Sequence, residues 1–265
     1  MKKIVDERRV VGLGLTTLLA ALLVACGGGG GADTTAAPTV AVANPLAGGW
    51  AGTSTSGNTV QSIILEDGRM WAIGGVVSSG ALHVNGLSRS TLQTSGSTLS
   101  ASDFRSYNLA AGTSATGSLT GSFVAGTSLT ATATLVGGAG TATVNLAPAP
   151  ATSYDYNTTA TLAAVAGNWP GSFTNDTGTL VVNANGTFSA TTSVGCRLSG
   201  AFTPRASGKN VYDITVAFGA APCGLPNGSA AGNAIITNLT SGQRQLTVAV
   251  TTADGANGGV FFGQR

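Results

Sequence analysis

The sequence predicts an all-β chain: two tandem antiparallel up-and-down β-barrels of about eight strands each, behind a signal segment and a flexible tether. The first reason is period-two patterning. Leu119, Gly121, Phe123 and Ala125 alternate with Ser118, Thr120, Ser122 and Val124, and after Gly126-Thr127 the residues Leu129, Ala131, Ala133 and Leu135 alternate with threonines. Val211 to Val216, Leu246 to Thr251 and Val260 to Phe262 carry comparable runs. The second reason is an internal echo: Leu46-Ala47-Gly48-Gly49-Trp50-Ala51-Gly52 returns as Val165-Ala166-Gly167-Asn168-Trp169-Pro170-Gly171. The third is matched turn chemistry. Asp67-Gly68 and Asn185-Gly186 end the first apolar run of each half and supply the residues that type I′ hairpin turns favour. A meander of about eight strands closes into a barrel with no exposed edge. Disorder is the alternative for a chain with 40 glycines, and 43% apolar content in clean alternation opposes it.

In chain order, Lys2, Lys3, Arg8 and Arg9 form a basic start that Asp6 and Glu7 dilute, and Val10 to Ala25 is a mostly apolar run. That run has about 16 residues, against the roughly 20 of a spanning helix. An uncleaved membrane anchor leaves Ala25 before Cys26, and Gly27 to Gly31 after it, unexplained. Leu23-Val24-Ala25-Cys26 resembles a bacterial lipobox. The resemblance implies removal of residues 1–25, a diacylglycerol on the Cys26 sulfur and an acyl chain on the new amino terminus. Such a set of chains exceeds the two signals that stable membrane attachment requires. Gly27 stands where inner-membrane lipoproteins of many Gram-negative bacteria carry aspartate, which implies the outer membrane, on its periplasmic face or at the cell surface. Residues 26–45 lack periodicity and read as a tether with a reach on the order of 25 Å.

Loss of the leader takes four of the 12 basic and two of the 10 acidic residues, so the mature chain is formally neutral. Its remaining basic residues are scattered singly, which argues against a nucleic-acid partner. With Cys26 assigned to the lipid, Cys196 and Cys223 remain, 27 positions apart in an exported chain. They are expected to pair, with about 3–4 kcal/mol of chain-entropy stabilisation for a loop of that length; two buried free thiols are the alternative.

The first barrel is assigned to residues 46–147, a linker to 148–161 around Pro148, Pro150 and Tyr154-Asp155-Tyr156-Asn157, and the second barrel to 162–265. Thr161 to Ala166 is expected to make one helical turn. A Gly-x-Trp at the start of such a barrel, present as Gly48-Gly49-Trp50 and Gly167-Asn168-Trp169, resembles the opening motif of lipocalins and avidins. The resemblance implies that each Trp plugs one barrel end and that an Arg of the last strand packs across it. Arg265 is the candidate over Trp169, and the last strand of the first half, Thr141 to Leu146, offers none. The biotin-site pattern does not carry over, because avidins use several pocket tryptophans and the second half has Trp169 alone. A lipidated barrel protein with a polyglycine tether also resembles the transferrin-binding and complement-regulator-binding lipoproteins of Gram-negative pathogens, with no binding motif that maps onto this chain.

Catalytic constellations are sparse. His83 is the only histidine, in a strand context, with Asp103 as a conceivable carboxylate partner but no Gly-x-Ser-x-Gly elbow. One histidine and a paired cysteine couple make no typical metal site. Glu66 and Asp67 read as turn residues rather than a glycosidase pair, and no phosphate-binding glycine loop is present. The expectation is a non-enzymatic envelope module without cofactor that binds an unidentified protein or small molecule. A lipocalin-like carrier of a small apolar ligand and an inhibitor of a wall-degrading enzyme are the alternatives. For a carrier, Ala131 and Ala133 leave room inside, whereas Phe123, Phe188 and Phe262 fill it. Intact-mass spectrometry of the native product is expected to show a chain that begins at Cys26 with three acyl chains, and Cys26→Ser is expected to abolish the modification and release the protein from the membrane.

Overall fold

The protein is described by a computed structural model over residues 44–78, 81–138 and 140–265. The signal segment 1–25, Cys26 and the tether up to residue 43 lie outside the described residues. The first half contains β1 (Gly48–Ser54), β2 (Thr59–Ile64), β3 (Arg69–Ser78), β4 (Ala81–Thr91), β5 (Gln93–Ser95), β6 (Thr98–Asn108), β7 (Thr113–Val124), β8 (Ser128–Leu135) and β9 (Thr141–Pro148). The second contains α1 (Leu162–Val165), β10 (Gly167–Phe173), β11 (Asp176–Val182), β12 (Thr187–Thr192), β13 (Arg197–Pro204), β14 (Tyr212–Phe218), β15 (Ser229–Asn238), β16 (Arg244–Thr251) and β17 (Gly258–Gln264). All pairings are antiparallel. β1 bonds to β2 and β9 while β4 bonds to β6, which closes an eight-stranded barrel with the short β5 lying on β6. β10 to β17 close a second barrel of eight strands through the β10–β17 pair.

Alternation decides which side of each strand is buried. Along β7, Leu119 and Phe123 are buried and Ser118, Thr120 and Ser122 are exposed. An apolar inside with a hydroxyl-rich outside is the reverse of a transmembrane barrel, whose outer wall carries the apolar band. Among the described residues no helix is long and apolar enough to cross a membrane. Trp50, Met70, Phe104, Leu119 and Phe123 share the first interior, and Trp169, Phe188, Phe202, Tyr212 and Phe261 share the second.

The two halves repeat atomic detail as well as topology. The Trp50 indole donates to Leu46 O at 2.8 Å and the Trp169 indole to Val165 O at 2.7 Å, in each case four residues back. The glycine two residues after each Trp permits the last strand to approach. A Cβ on Gly52 meets Asn145 O at 1.9 Å, and one on Gly171 meets Phe262 O at 1.9 Å. The repeated motif is therefore Gly-x-Trp-x-Gly, whose final glycine allows β9 or β17 to close the barrel against the first strand.

Two turn expectations need correction. Gly68 and Gly186 do have positive φ, but Asp67 and Asn185 do not, so neither turn is type I′. In both, the glycine amide donates three residues back, Gly68 to Leu65 O and Gly186 to Asn183 O, and the side chains of Asp67 and Asn185 accept from the amides of Arg69 and Thr187. These are three-residue loops that end on a left-handed glycine. The side-chain acceptor satisfies the next amide, so only one residue needs positive φ.

The barrels lie side by side, joined by outward apolar side chains. Ile63, Leu65, Trp71, Ile73 and Leu87 of the first form one cluster with Val211, Ala249 and Val260 of the second and with Tyr154 and Tyr156 of the connecting segment. At one end of this seam Arg205, its side chain 8% exposed, donates to Glu66 Oε1 at 2.6 Å, Asp67 Oδ2 at 2.7 Å and Asp213 Oδ1 at 2.9 Å. Asn233 donates to the same Asp213 and accepts the Trp71 indole N–H at 2.9 Å. At the other end Arg105 and the Tyr107 hydroxyl donate to Gly255 O. Burial alone pushes the Glu66 carboxyl up, but hydrogen bonds from Tyr156, its own backbone amide and Arg205 outweigh it and bring it down to about 2. Its pKa in the fold is below that in the unfolded chain, so its contribution is complete above about pH 4.5 and is lost as pH falls toward 2. Arg205→Ala is expected to cost about 2–3 kcal/mol in urea unfolding at pH 7, less than a fully buried pair because the carboxylates retain water. The same variant is expected to flatten the loss of stability between pH 4.5 and 2.

Candidate functional site

One end of the second barrel is shut. Trp169 is fully buried, with the Arg265 guanidinium 4.1 Å and that of Arg244 5.9 Å from its ring centroid. Arg265 also donates to Ala164 O at 2.9 Å and to Ala166 O, which caps the carbonyls that α1 leaves unpaired. Thr161 starts that turn by accepting from the Ala164 amide, and the Tyr212 hydroxyl donates to Thr161 O. In the first barrel Trp50 holds the equivalent place, 4% exposed, and β9 brings no arginine to it.

The other end of the second barrel is open, and behind it lies a cavity of about 420 Å³. Leu180, Phe188, Ile214, Val216, Val248 and Phe261 line its wall. Its mouth is formed by the turns between β10 and β11, β12 and β13, β14 and β15, and β16 and β17. The β14–β15 connection is the long one, Gly219 to Gly228, and Pro222 and Leu225 from it line the cavity. It is tied to the neighbouring β12–β13 turn by a disulfide, Cys223 to Cys196, with an S–S distance of 2.00 Å. The first barrel completes the rim. Tyr107, Asn108 and Leu109, at the end of β6, also line the cavity, and the Asn175 carboxamide donates to Leu109 O at 3.3 Å.

Asp176 is the one carboxylate on this rim among the described lining residues. Hydrogen bonds from the Ser193 and Thr192 hydroxyls, with support from the Thr177 and Val194 amides, lower it to about 2, so it is ionised at neutral pH.

A larger cleft of about 1010 Å³ follows the outer seam between the barrels. Its floor is committed to the junction, since Trp71 bonds to Asn233 and the Tyr154 hydroxyl donates to Asn210 O at 2.6 Å. Phe262 faces this seam and not the barrel interior, contrary to the expectation that it fills the cavity; its neighbour Phe261 points inward, its ring tilted against that of Phe173 with centroids 4.6 Å apart. In a run of three apolar residues alternation has no phase, and the second barrel buries both sides of β17.

The other residues singled out in the sequence are dispersed. His83 is exposed on β4. Asp103 sits at the bulge of β6, where it accepts from Ser90 Oγ at 2.9 Å and from the Thr91 amide at 2.8 Å. Thr91 is eight positions along β4 from His83, roughly 26 Å of strand, so the two form no dyad. Glu66 and Asp67 belong to the Arg205 clasp. Cys26 is outside the described residues. The ring of mouth turns and Arg205 carried no sequence signal, because their partners lie far away in the chain.

No family model and no curated protein matches the chain. Among solved structures, a Bacteroides fragilis NCTC 9343 chain provisionally described as an outer membrane protein is similar at 14% identity over 83% of this chain and 98% of that one, with a TM-score of 0.27. A Nostoc punctiforme PCC 73102 protein of unknown function from the DUF3598 family is similar at 12% identity over 82% and 93%, with a TM-score of 0.26.

Arg265→Ala removes the donors to Ala164 and Ala166 and the cation above Trp169. It is expected to lower stability by about 1–3 kcal/mol in urea unfolding and to red-shift the tryptophan emission.

Proposed function

We propose that this chain is a non-enzymatic binding protein of the outer membrane, held by lipid on Cys26, and that its second barrel takes a small apolar ligand through its open end. The observation that carries this reading is the cavity of about 420 Å³, plugged by Trp169 and Arg265 at one end and walled by aliphatic and aromatic side chains. Its size falls in the usual range for small-molecule sites. The first barrel contributes Tyr107 and Leu109 to the rim. A wall without an acid–base pair favours binding over catalysis. The leader, the lipobox resemblance and Gly27 support the envelope location.

Mature protein carrying Cys26→Ser, to keep it in solution, is expected to enhance the fluorescence of the neutral apolar dye N-phenyl-1-naphthylamine saturably. Ala230→Phe, which places a ring in the cavity, is expected to weaken dye binding by at least about tenfold with an unchanged circular dichroism spectrum. Absence of saturable enhancement in the Cys26→Ser protein overturns the ligand-cavity reading.

A further inference from the structure

We infer that the second barrel selects a ligand whose polar end is uncharged, of the long-chain alcohol or ester kind, and excludes the fatty acid of the same length. This rests on the ligand-cavity reading above and concerns its mouth.

An amphiphile that buries its chain against Leu180, Ile214 and Val248 leaves its head among the rim residues. Asn108 and Asn257 present exposed carboxamides there; the Asn108 Oδ1 accepts from the Ala111 amide at 3.0 Å and leaves its Nδ2 to donate, and the Asn257 carboxamide can donate and accept. Thr252 and Thr174 are polar but have local partners, Thr252 with Asp254 and Thr174 with the Val260 backbone. The formal charge on the lining is that of Asp176, and no Lys or Arg is among the described lining residues.

Two of the cations nearby are engaged at the junction between the barrels. Arg105 donates to Gly255 O and Arg89 to the Tyr107 hydroxyl, which itself donates to Gly255 O. Arg197 is exposed, and its neighbour Leu198 takes the inward position on β13. Asp254, on the β16–β17 turn, adds a second anion near the rim, where it accepts from Thr252 and from the Ala256 amide. A carboxylate head would lose water beside Asp176 with no cation on the described lining to meet it, whereas a hydroxyl or ester meets amides that match it.

The test is competition at pH 7.5 between N-phenyl-1-naphthylamine and 1-dodecanol, methyl laurate or sodium laurate, each below its aggregation limit, on the Cys26→Ser protein. The alcohol and the ester are expected to displace the dye at concentrations at least about tenfold below laurate. Asp176→Asn and, independently, Val194→Lys at an exposed rim position are expected to raise the laurate-to-dodecanol affinity ratio at least about threefold. Equal displacement by laurate and dodecanol, or a ratio unmoved by both substitutions, overturns the selectivity while dye binding leaves the cavity reading standing. Failure of the dye itself to bind overturns the cavity reading instead.

Discussion

The fold depends on the close crossing of the first and last strands beside a buried indole. A small barrel of eight strands is strongly coiled, and at Gly52 and Gly171 the neighbouring backbone comes too near for any side chain. That crossing sets the plug. The Trp two residues earlier turns inward, its N–H returns to a carbonyl four residues back, and one barrel end is filled. In the second half the C-terminal arginine adds a charged lid over the ring, so the cavity can open in one direction only.

The duplicated barrels have diverged on their outer walls as much as inside. Two free-standing barrels would keep hydroxyls all round, as β7 does. Here Ile63, Trp71, Ile73, Ala249 and Val260 are apolar on outward positions, and the Arg205 clasp and the Gly255 contacts fix the two ends of their seam. The clasp offsets the desolvation of Arg205 with three carboxylates, and its specificity is geometric, since each N–H has a separate acceptor. The connecting segment takes part in this junction: Tyr154 and Tyr156 are 5% and 6% exposed, and the Tyr156 hydroxyl donates to Glu66 at 2.6 Å.

Much of the architecture was legible because it rests on local rules. Alternation marked the inward face of β7 and β8, the echo around Trp50 and Trp169 marked both barrel starts, and Thr161 marked the helical turn. What was hidden depends on partners distant in sequence. Ile63 and Trp71 look like ordinary core residues until the second barrel covers them, and Glu66-Asp67 look like a plain turn until Arg205 arrives. Asp67 and Asn185 misled the turn assignment because their side chains accept from the amide two residues on, an option that makes a second left-handed residue unnecessary. The cavity mouth was hidden for a further reason: its rim combines turns from two barrels, so the pairing of Cys196 with Cys223, though expected from the sequence, did not by itself place their loop beside a cavity.

The path of the chain through the first barrel has a directional consequence. The described chain starts at Asn44, beside the turn that holds Glu66 and four residues before β1, at the end that Trp50 fills. The rim contacts from Tyr107, Leu109 and Ser114 come from the opposite end of that barrel. Asn44 and the aperture therefore lie at opposite ends of the first barrel. The length of a strand separates the point where the described chain enters the fold from the mouth of the second barrel's cavity, so a change at one leaves the other in place.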